Sequence, residues 1–416
     1  MPQKNVRRAA VSALRAWSKG HFYAETLIDR HARRNRISTA DRALLNSIVL
    51  AVIRHRRLLD HWIGQLRKGR LDHETRDILR VGICQLLILG IADHAAVNET
   101  VACARRPVRG LINAVLRRAI AARKSLGAEC DDLDPPIRYS HPDWLFNRWT
   151  KQFGPENTIA LLDWNNQPAP VIVRFNSLAP PHDPSATSPP TVAISGAPGY
   201  YQLEGPLPSD WIADGLVYVQ DPSTRHAVEL LAPLPGETIL DACSAPGGKA
   251  SLIAAAMNNE GELLCTDSNE RRLPRLAENL QRLHVSIAGM AAFDWTTSAP
   301  PEWHGRFDGI LLDVPCSNTG VLRRRVDARW RLQPGQIEKL AATQRQILEH
   351  ALPCLKPGGR LVYSTCSLEP EENEGQIGSF LDAHPSWELL ASCQVLPYRD
   401  GCDGAYAALL QGSHRQ

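Results

Sequence analysis

The sequence predicts two fold classes in one chain, an all-α N-terminal domain and behind it an α/β domain built on a doubly wound parallel sheet. Three observations carry this. Up to about residue 125 the apolar residues recur at the helical period of 3.6, with no β-alternation of useful length. From about residue 215 short apolar runs alternate with helical patterns, as in strand–helix–strand units. The charge also divides: residues 1–125 hold 25 Lys/Arg against 9 Asp/Glu and the remainder 22 against 35, which leaves a formal net charge of only +3. At 416 residues the chain is too long for one ordinary core.

In the first part, Val6, Ala9, Ala13, Leu14 and Trp17 share one helical face, as do Leu44, Leu45, Ile48, Val49 and Val52. Ser38 precedes the second run as an N-cap. Val97–Ala104 and Leu111–Ile120 read as further helices, and Val81–Ala92, followed by Asp93, as a buried one. That run is shorter than the ~18 apolar residues a bilayer requires, so no membrane is expected. The basic start, MPQKNVRRAA, has no apolar stretch behind it, so it is not a secretory signal and a cytoplasmic location is expected. Ten cysteines without a CxxC pair or a Cys/His cluster read as reduced thiols, with no metal. The basic block, with Arg33-Arg34, Arg56-Arg57, Arg105-Arg106 and Arg117-Arg118 spread along it, suits a polyanion partner.

Asp131–Pro136 is an acidic, proline-bearing break. Behind it Trp144, Phe146, Trp149 and Phe153 open a second region, Val171–Val173 is strand-like, and Ala179–Gly199 reads as a loop or linker rich in Pro, Ser and Ala. The expected divisions are a helical domain over 1–130, a linker and small α+β subdomain over 131–215, and an α/β domain over 216–416.

Within the last, Thr238–Cys243, Glu262–Thr266, Phe307–Asp313 and Arg360–Ser364 are strands; Lys249–Met257, Arg271–Leu283 and Pro334–Leu352 are helices. The segment Asp241-Ala-Cys-Ser-Ala-Pro-Gly-Gly-Lys249 leaves a strand and enters a helix, and its glycines let the backbone approach a ligand. Neither GxGxxG nor GxxxxGK[ST] is present, which disfavours dinucleotides and mononucleotides and, with them, a nicotinamide-dependent dehydrogenase. Asp267 and Asp313 close successive strands and Asp294 follows Ala291-Ala292-Phe293. Carboxylates so placed suit a nucleoside carrying a sulfonium charge and no phosphates.

Cys316, in Asp313-Val314-Pro315-Cys316-Ser317, and Cys366, in Ser364-Thr365-Cys366-Ser367, each follow an apolar strand, 50 positions apart. Two thiols at one sheet edge answer a specific chemical need. Carbon 5 of cytosine is a poor nucleophile until a thiolate adds to carbon 6, and a second group must then help remove the carbon 5 proton. Asp313 can bond the N3/N4 edge of the ring and stabilise charge developing there.

The segments DACSAPGGK, LLDVPCSNTGVLRRRVDARWR and YSTCSLEPEENE resemble the motif set of the RNA cytosine-C5 methyltransferases of the NOL1/NOP2/Sun family. DHAAVNETVACAR and GLINAVLRR resemble a NusB-like domain, a pairing typical of bacterial 16S rRNA methyltransferases. The resemblance covers nearly the whole chain. It implies a Rossmann-like catalytic domain using S-adenosyl-L-methionine, 16S rRNA as substrate with cytosine 967 as the target, and a monomer. Cys366 would be the nucleophile, Cys316 the second cysteine and Asp313 a catalytic partner. Cofactor contacts would fall on Cys243, Ser244, Ala245, Pro246, Gly247, Gly248, Lys249, Asp267, Asp294 and Asp313. The sequence departs from the family pattern at Ala250, where Thr is usual, at Ser244, where Ala is common, and in Gln220-Asp221-Pro222-Ser223-Thr224-Arg225. Arg323, Arg324, Arg325, Arg329 and Arg331 are expected to hold phosphates flanking a loop or bulge base, with Trp330 stacking or packing. The alternatives are a tRNA cytosine-C5 methyltransferase and a non-catalytic NusB-like assembly factor.

Overall fold

The computed structural model describes residues 5–180 and 189–412. They form two compact units, Met1–Gln167 with Leu322–Arg331, and Pro168–Val321 with Leu332–Gln416. The chain therefore leaves the second unit after Val321 for ten residues and returns at Leu332.

The first unit is all-helical. Helices Val6–Trp17, Thr39–Arg54 and Arg109–Ala121 pack around His73–Leu87, whose Ile78, Leu79, Val81, Ile83 and Cys84 are buried. The apolar stripes at Val6–Trp17 and Leu45–Val52 face this core. Ser38 caps its helix by accepting from Asp41 N at 3.2 Å. Gly82 admits a neighbouring helix, since a Cβ there would lie 2.6 Å from Leu116 Cδ2. The run expected as one helix over 81–92 ends at Leu87, and the next helix, Asp93–Cys103, begins with Asp93 in its first turn, where a carboxylate complements the helix dipole. The aromatic stretch from Trp144 lies on a helix, Asp143–Phe153, of this same unit.

The returning segment Leu322–Arg331 corrects the phosphate contact expected of Arg329 and leaves Arg325 exposed. Val326 lies in the helical core with Trp330 packed against it. Arg329 is fully buried and donates to Asn166 Oδ1 at 2.8 Å and Asn165 O at 3.0 Å. Trp330 Nε1 donates to Ile53 O at 2.9 Å, Arg331 donates to the carbonyls of Gly20 and Phe22, and Arg323 covers the Trp164 ring at 4.2 Å. Asp327 Oδ2 accepts from Ala24 N at 2.8 Å and so caps the helix Ala24–Arg34 from a distant part of the chain. A guanidinium at the centre of a helical core cannot reach RNA.

The second unit holds two sheets. A small antiparallel sheet has β1 (Ile172–Phe175), β2 (Thr191–Ala193), β3 (Tyr200–Leu203) and β4 (Val217–Val219) in the order β2-β3-β1-β4. β2 falls inside the stretch expected to be loop, of which residues 181–188 lie outside the described residues. Three residues pairing with β3 through their backbone leave no periodicity to read.

The larger sheet comprises β5 (Thr238–Asp241), β6 (Glu262–Asp267), β7 (Ala288–Ala292), β8 (Phe307–Asp313), β9 (Leu355–Thr365), β10 (Trp387–Val395) and β11 (Ala405–Gly412). Its order is β10-β11-β9-β8-β5-β6-β7. β5 to β9 are parallel, as expected of a Rossmann-like domain, whereas β10 and β11 make the far edge antiparallel. The strand order reverses between β5 and β8, the switch point at which open α/β sheets bind ligands. Among the described residues no helix is long and apolar enough to cross a membrane.

Candidate active site

The carboxyl edge of the sheet gathers the chemistry. β5 ends at Asp241, β6 at Asp267, β8 at Asp313, and β9 stops one residue before Cys366. The turn after β5 is held by Ser244 N donating to Thr266 O (2.8 Å) and Gly247 N to Ser244 O (2.7 Å). Asn279 Nδ2 donates to Pro246 O at 2.8 Å, and Arg272 reaches Ala245 O. Gly247 has φ +102°, a backbone that only glycine adopts freely. At Gly248 a Cβ would meet Tyr218 Cε1 at 2.9 Å and Gln220 Nε2 at 3.0 Å, so glycine is required for close packing. The turn's sulfur, Cys243, is held protonated by burial and by the neighbouring carboxylates.

Asp241 is fully buried, and burial lifts its carboxyl to about 7 despite a 2.8 Å hydrogen bond from Ser244 Oγ to Oδ2. Its Oδ1 has no hydrogen-bond partner among the described residues, an acceptor left for a donor brought by a ligand. Lys249 Nζ lies 2.7 Å from Asp313 Oδ2. Burial works against the lysine's charge, but Asp313, and after it Cys366 and Asp241, leave its pKa raised. Asp267, almost wholly buried, pairs with Arg272 at 2.9 Å and accepts from Asn269 N at 3.0 Å. Asp294 is exposed just past β7, and its Oδ1 closes a turn by accepting from Thr296 N and Oγ1. This set of carboxylate acceptors fits the expected S-adenosylmethionine, whose ammonium and hydroxyls are donors, and would repel a phosphate.

The two cysteine loops meet. Cys316 Sγ lies 3.2 Å from Cys366 Sγ, and Cys366 Sγ is 3.5 Å from Asn318 Oδ1. The hydrogen bond to Cys366, with burial, holds the Cys316 thiol well above the usual range, so Cys316 keeps its proton beside Cys366. Val314 N to Ser364 O (3.1 Å) and Gly320 N to Cys366 O (3.0 Å) join the loops along their backbones. Gly320 is pressed against Gly404, where a Cβ would sit 2.6 Å from the Gly404 carbonyl oxygen.

Two groups escaped the sequence reading. Asp241 ends a strand as Asp267 and Asp313 do, and that position was the available signal. Glu372, inside YSTCSLEPEENE, is fully buried between the cysteine loops, and nothing in its spacing marks it out from Glu371 or Glu374.

Comparison with known proteins places these features in a family. The pattern of the family described as 16S rRNA methyltransferase RsmB/F matches residues 228–411. The NusB family matches residues 4–121, and the RsmF/B-like ferredoxin-like domain residues 141–183. The chain is 36% identical over 99% of its length to the Ribosomal RNA small subunit methyltransferase B of Vibrio cholerae, covering 98% of that protein. It is 37% identical over 91% of its length to the protein of the same name from Erwinia tasmaniensis, covering 92% of it. Among solved structures, a methyltransferase homolog protein from Pyrococcus horikoshii superposes with a TM-score of 0.56 at 27% identity, over 67% of this chain and 98% of that one.

Proposed function

The chain belongs to the RsmB/F family of 16S rRNA methyltransferases, and from that premise we propose that it methylates carbon 5 of a cytosine in 16S rRNA, cytosine 967, through a covalent bond from Cys366 to carbon 6. The observation that carries the chemistry is the pair of thiols 3.2 Å apart at the sheet edge that also bears the glycine turn. Bound S-adenosylmethionine supplies an electrophilic methyl group. The turn from Cys243 to Lys249, with Asp241, Asp267, Asp294 and Asp313, holds it.

Cys366 Sγ, facing the Lys249 ammonium and the Cys316 thiol, adds as thiolate to carbon 6 and pushes electron density onto carbon 5. Asp313 bonds the N3/N4 edge and stabilises the charge that develops in the ring. After methylation carbon 5 carries both the methyl group and its original hydrogen. With Cys366 consumed in the adduct, Cys316 gives up its own proton to water and as thiolate accepts the carbon 5 proton, which restores the double bond and expels Cys366 as thiolate. The basic helices hold the flanking phosphates, and a loop or bulge cytosine is extruded to expose carbon 6.

The test is methyl transfer from labelled S-adenosylmethionine to 16S rRNA, with the product mapped by bisulfite sequencing. Cys366→Ala is expected to abolish transfer. Cys316→Ala is expected to accumulate a protein–RNA adduct that survives a denaturing gel. Full turnover by Cys366→Ala would sink the nucleophile assignment, and full turnover without adduct by Cys316→Ala the release role.

A further inference from the structure

Ser317 and Ser367 each follow one of the paired cysteines, and both are hydrogen-bonded to the same buried carboxylate. Glu372 is fully buried. Its Oε1 accepts from Ser317 N at 2.9 Å and from Gln344 Nε2 at 2.9 Å, while its Oε2 accepts from the hydroxyls of Ser317 and Ser367. Gln344 lies on the helix Gln336–Ala351, and its Nε2 also donates to Pro315 O, on the residue before Cys316, at 3.0 Å. The Glu372 backbone is fixed in turn, its carbonyl accepting from Tyr363 Oη of β9 at 2.7 Å. One carboxylate thus joins the loop after β8, the loop after β9 and a helix. Four donors meet the charge of a carboxylate that has no cation among these partners, and burial makes each of those bonds costly to lose.

We propose that Glu372 is a positioning residue, whose carboxylate ties both cysteine loops to one point and so sets the two thiols side by side within reach of one pyrimidine ring. Its contribution to catalysis rests on the reading of Cys366 as nucleophile; its contribution to the placement of the thiols does not. Without the carboxylate, Ser317 and Ser367 lose their common acceptor, and what still joins the loops is their backbones, the Ser317 Oγ–Ser367 Oγ contact at 3.0 Å, Asn318 Oδ1 with Cys366 Sγ, and Thr319, whose Oγ1 meets Ser367 Oγ at 3.3 Å and accepts from Leu368 N at 2.9 Å. The charge acts as well as the geometry: Glu372 is among the groups that keep Cys316 protonated, alongside Cys366 itself.

The experiment uses the full chain as wild type, Glu372→Ala and Glu372→Gln, with two readouts. Methyl transfer gives kcat and KM. Thiol placement is read separately as the rate at which diamide joins Cys316 to Cys366, the azo nitrogens taking up the two thiol hydrogens as the S–S bond forms, a loss of two mass units. Glu372→Ala is expected to lower kcat about 100-fold while leaving the Kd for S-adenosylmethionine within about twofold, because displacement of a reacting group by an ångström has that effect. The same variant is expected to slow diamide cross-linking at least about tenfold. Glu372→Gln, which keeps the shape and one carbonyl acceptor, should fall between it and wild type in both. If Glu372→Ala fails to bind S-adenosylmethionine, Glu372→Gln decides by the same readout. A cross-linking rate equal to wild type overturns the proposal whatever kcat does. Slowed cross-linking in a chain whose Cys316→Ala variant forms no RNA adduct supports the placement and refutes the nucleophile reading instead.

Discussion

Lys249 Nζ lies 2.7 Å from Asp313 Oδ2, and this ion pair fastens the glycine turn after β5 to the strand end that leads into the Cys316 loop. Its side chains are 15% and 32% exposed, so water screens it only in part. Removing one partner strands the other charge. Lys249→Met is therefore expected to destabilise the protein by about 2 kcal/mol, at the low end for a pair that keeps some solvent contact. It also unties the glycine turn from the strand end that leads to the Cys316 loop, so adduct formation with 16S rRNA should slow. Urea unfolding, and adduct yield on denaturing gels with Cys316→Ala as the common background, check the two effects, and unchanged values in both would refute the role of the pair.

Asp241 supplies a pH dependence whose sign can be worked out. Burial holds its carboxyl at about 7 in the folded chain, against an ordinary value of 3.8. The folded state keeps a proton that the unfolded state gives up across that interval. Its contribution to stability is therefore complete below pH 3.8 and is lost as pH rises toward 7. Asp241→Asn should flatten this fall, which can reach about 1.4 kcal/mol per pH unit, in urea unfolding at pH 5 and pH 7.5. A cationic ligand prefers the ionised carboxylate, so S-adenosylmethionine should bind wild type more tightly as pH rises through 7, and Asp241→Asn should bind with little pH dependence. Calorimetric titration at several pH values measures both.

Arg329 separates a structural arginine from an RNA-binding one. Burial, with Arg54 nearby, pulls its pKa down to about 9, and its hydrogen bonds go to Asn166 and to backbone carbonyls. Arg329→Ala should cost about 3 kcal/mol, through a cavity and stranded acceptors. It should leave the salt dependence of RNA binding unchanged. Arg106→Ala and Arg117→Ala, at exposed positions of the basic helices, should do the opposite. Stability is kept, and the slope of log K against log salt becomes shallower by about 0.9 for every phosphate the variant no longer neutralises. Filter binding across a salt series, beside thermal unfolding, distinguishes the two behaviours.

The readable parts of the sequence were those with a strong period or a chemical need. The stripes at Val6–Trp17 and Leu45–Val52 and the strand β8 follow from local patterning, because one face or both must be buried. The cysteine loops were legible because residues that follow two parallel strands must share an edge. Other features depend on distant residues. The strand β2 is three residues long and exists by pairing with β3. The antiparallel edge of β10 and β11 lay beyond the last recognised strand, and β10 alternates poorly in burial. Arg329 sits in a run of arginines that looks like a solvated basic loop, and its burial is set by helices more than 150 positions earlier in the chain. Glu372 is one of several neighbouring glutamates, and only the folded loops single it out.

The excursion of Leu322–Arg331 into the helical unit bears on attempts to dissect the protein. A recombinant fragment stopping at Gln167 would expose apolar surface against which Val326 and Trp330 pack, and would leave the amide of Ala24 and the carbonyl of Ile53 to water. Such a fragment calls for the missing decapeptide in trans. Grafting the helices onto another enzyme would likewise succeed only in a host whose loop carried counterparts of Asp327, Arg329 and Trp330. The gene is modular on paper, and the polypeptide is not.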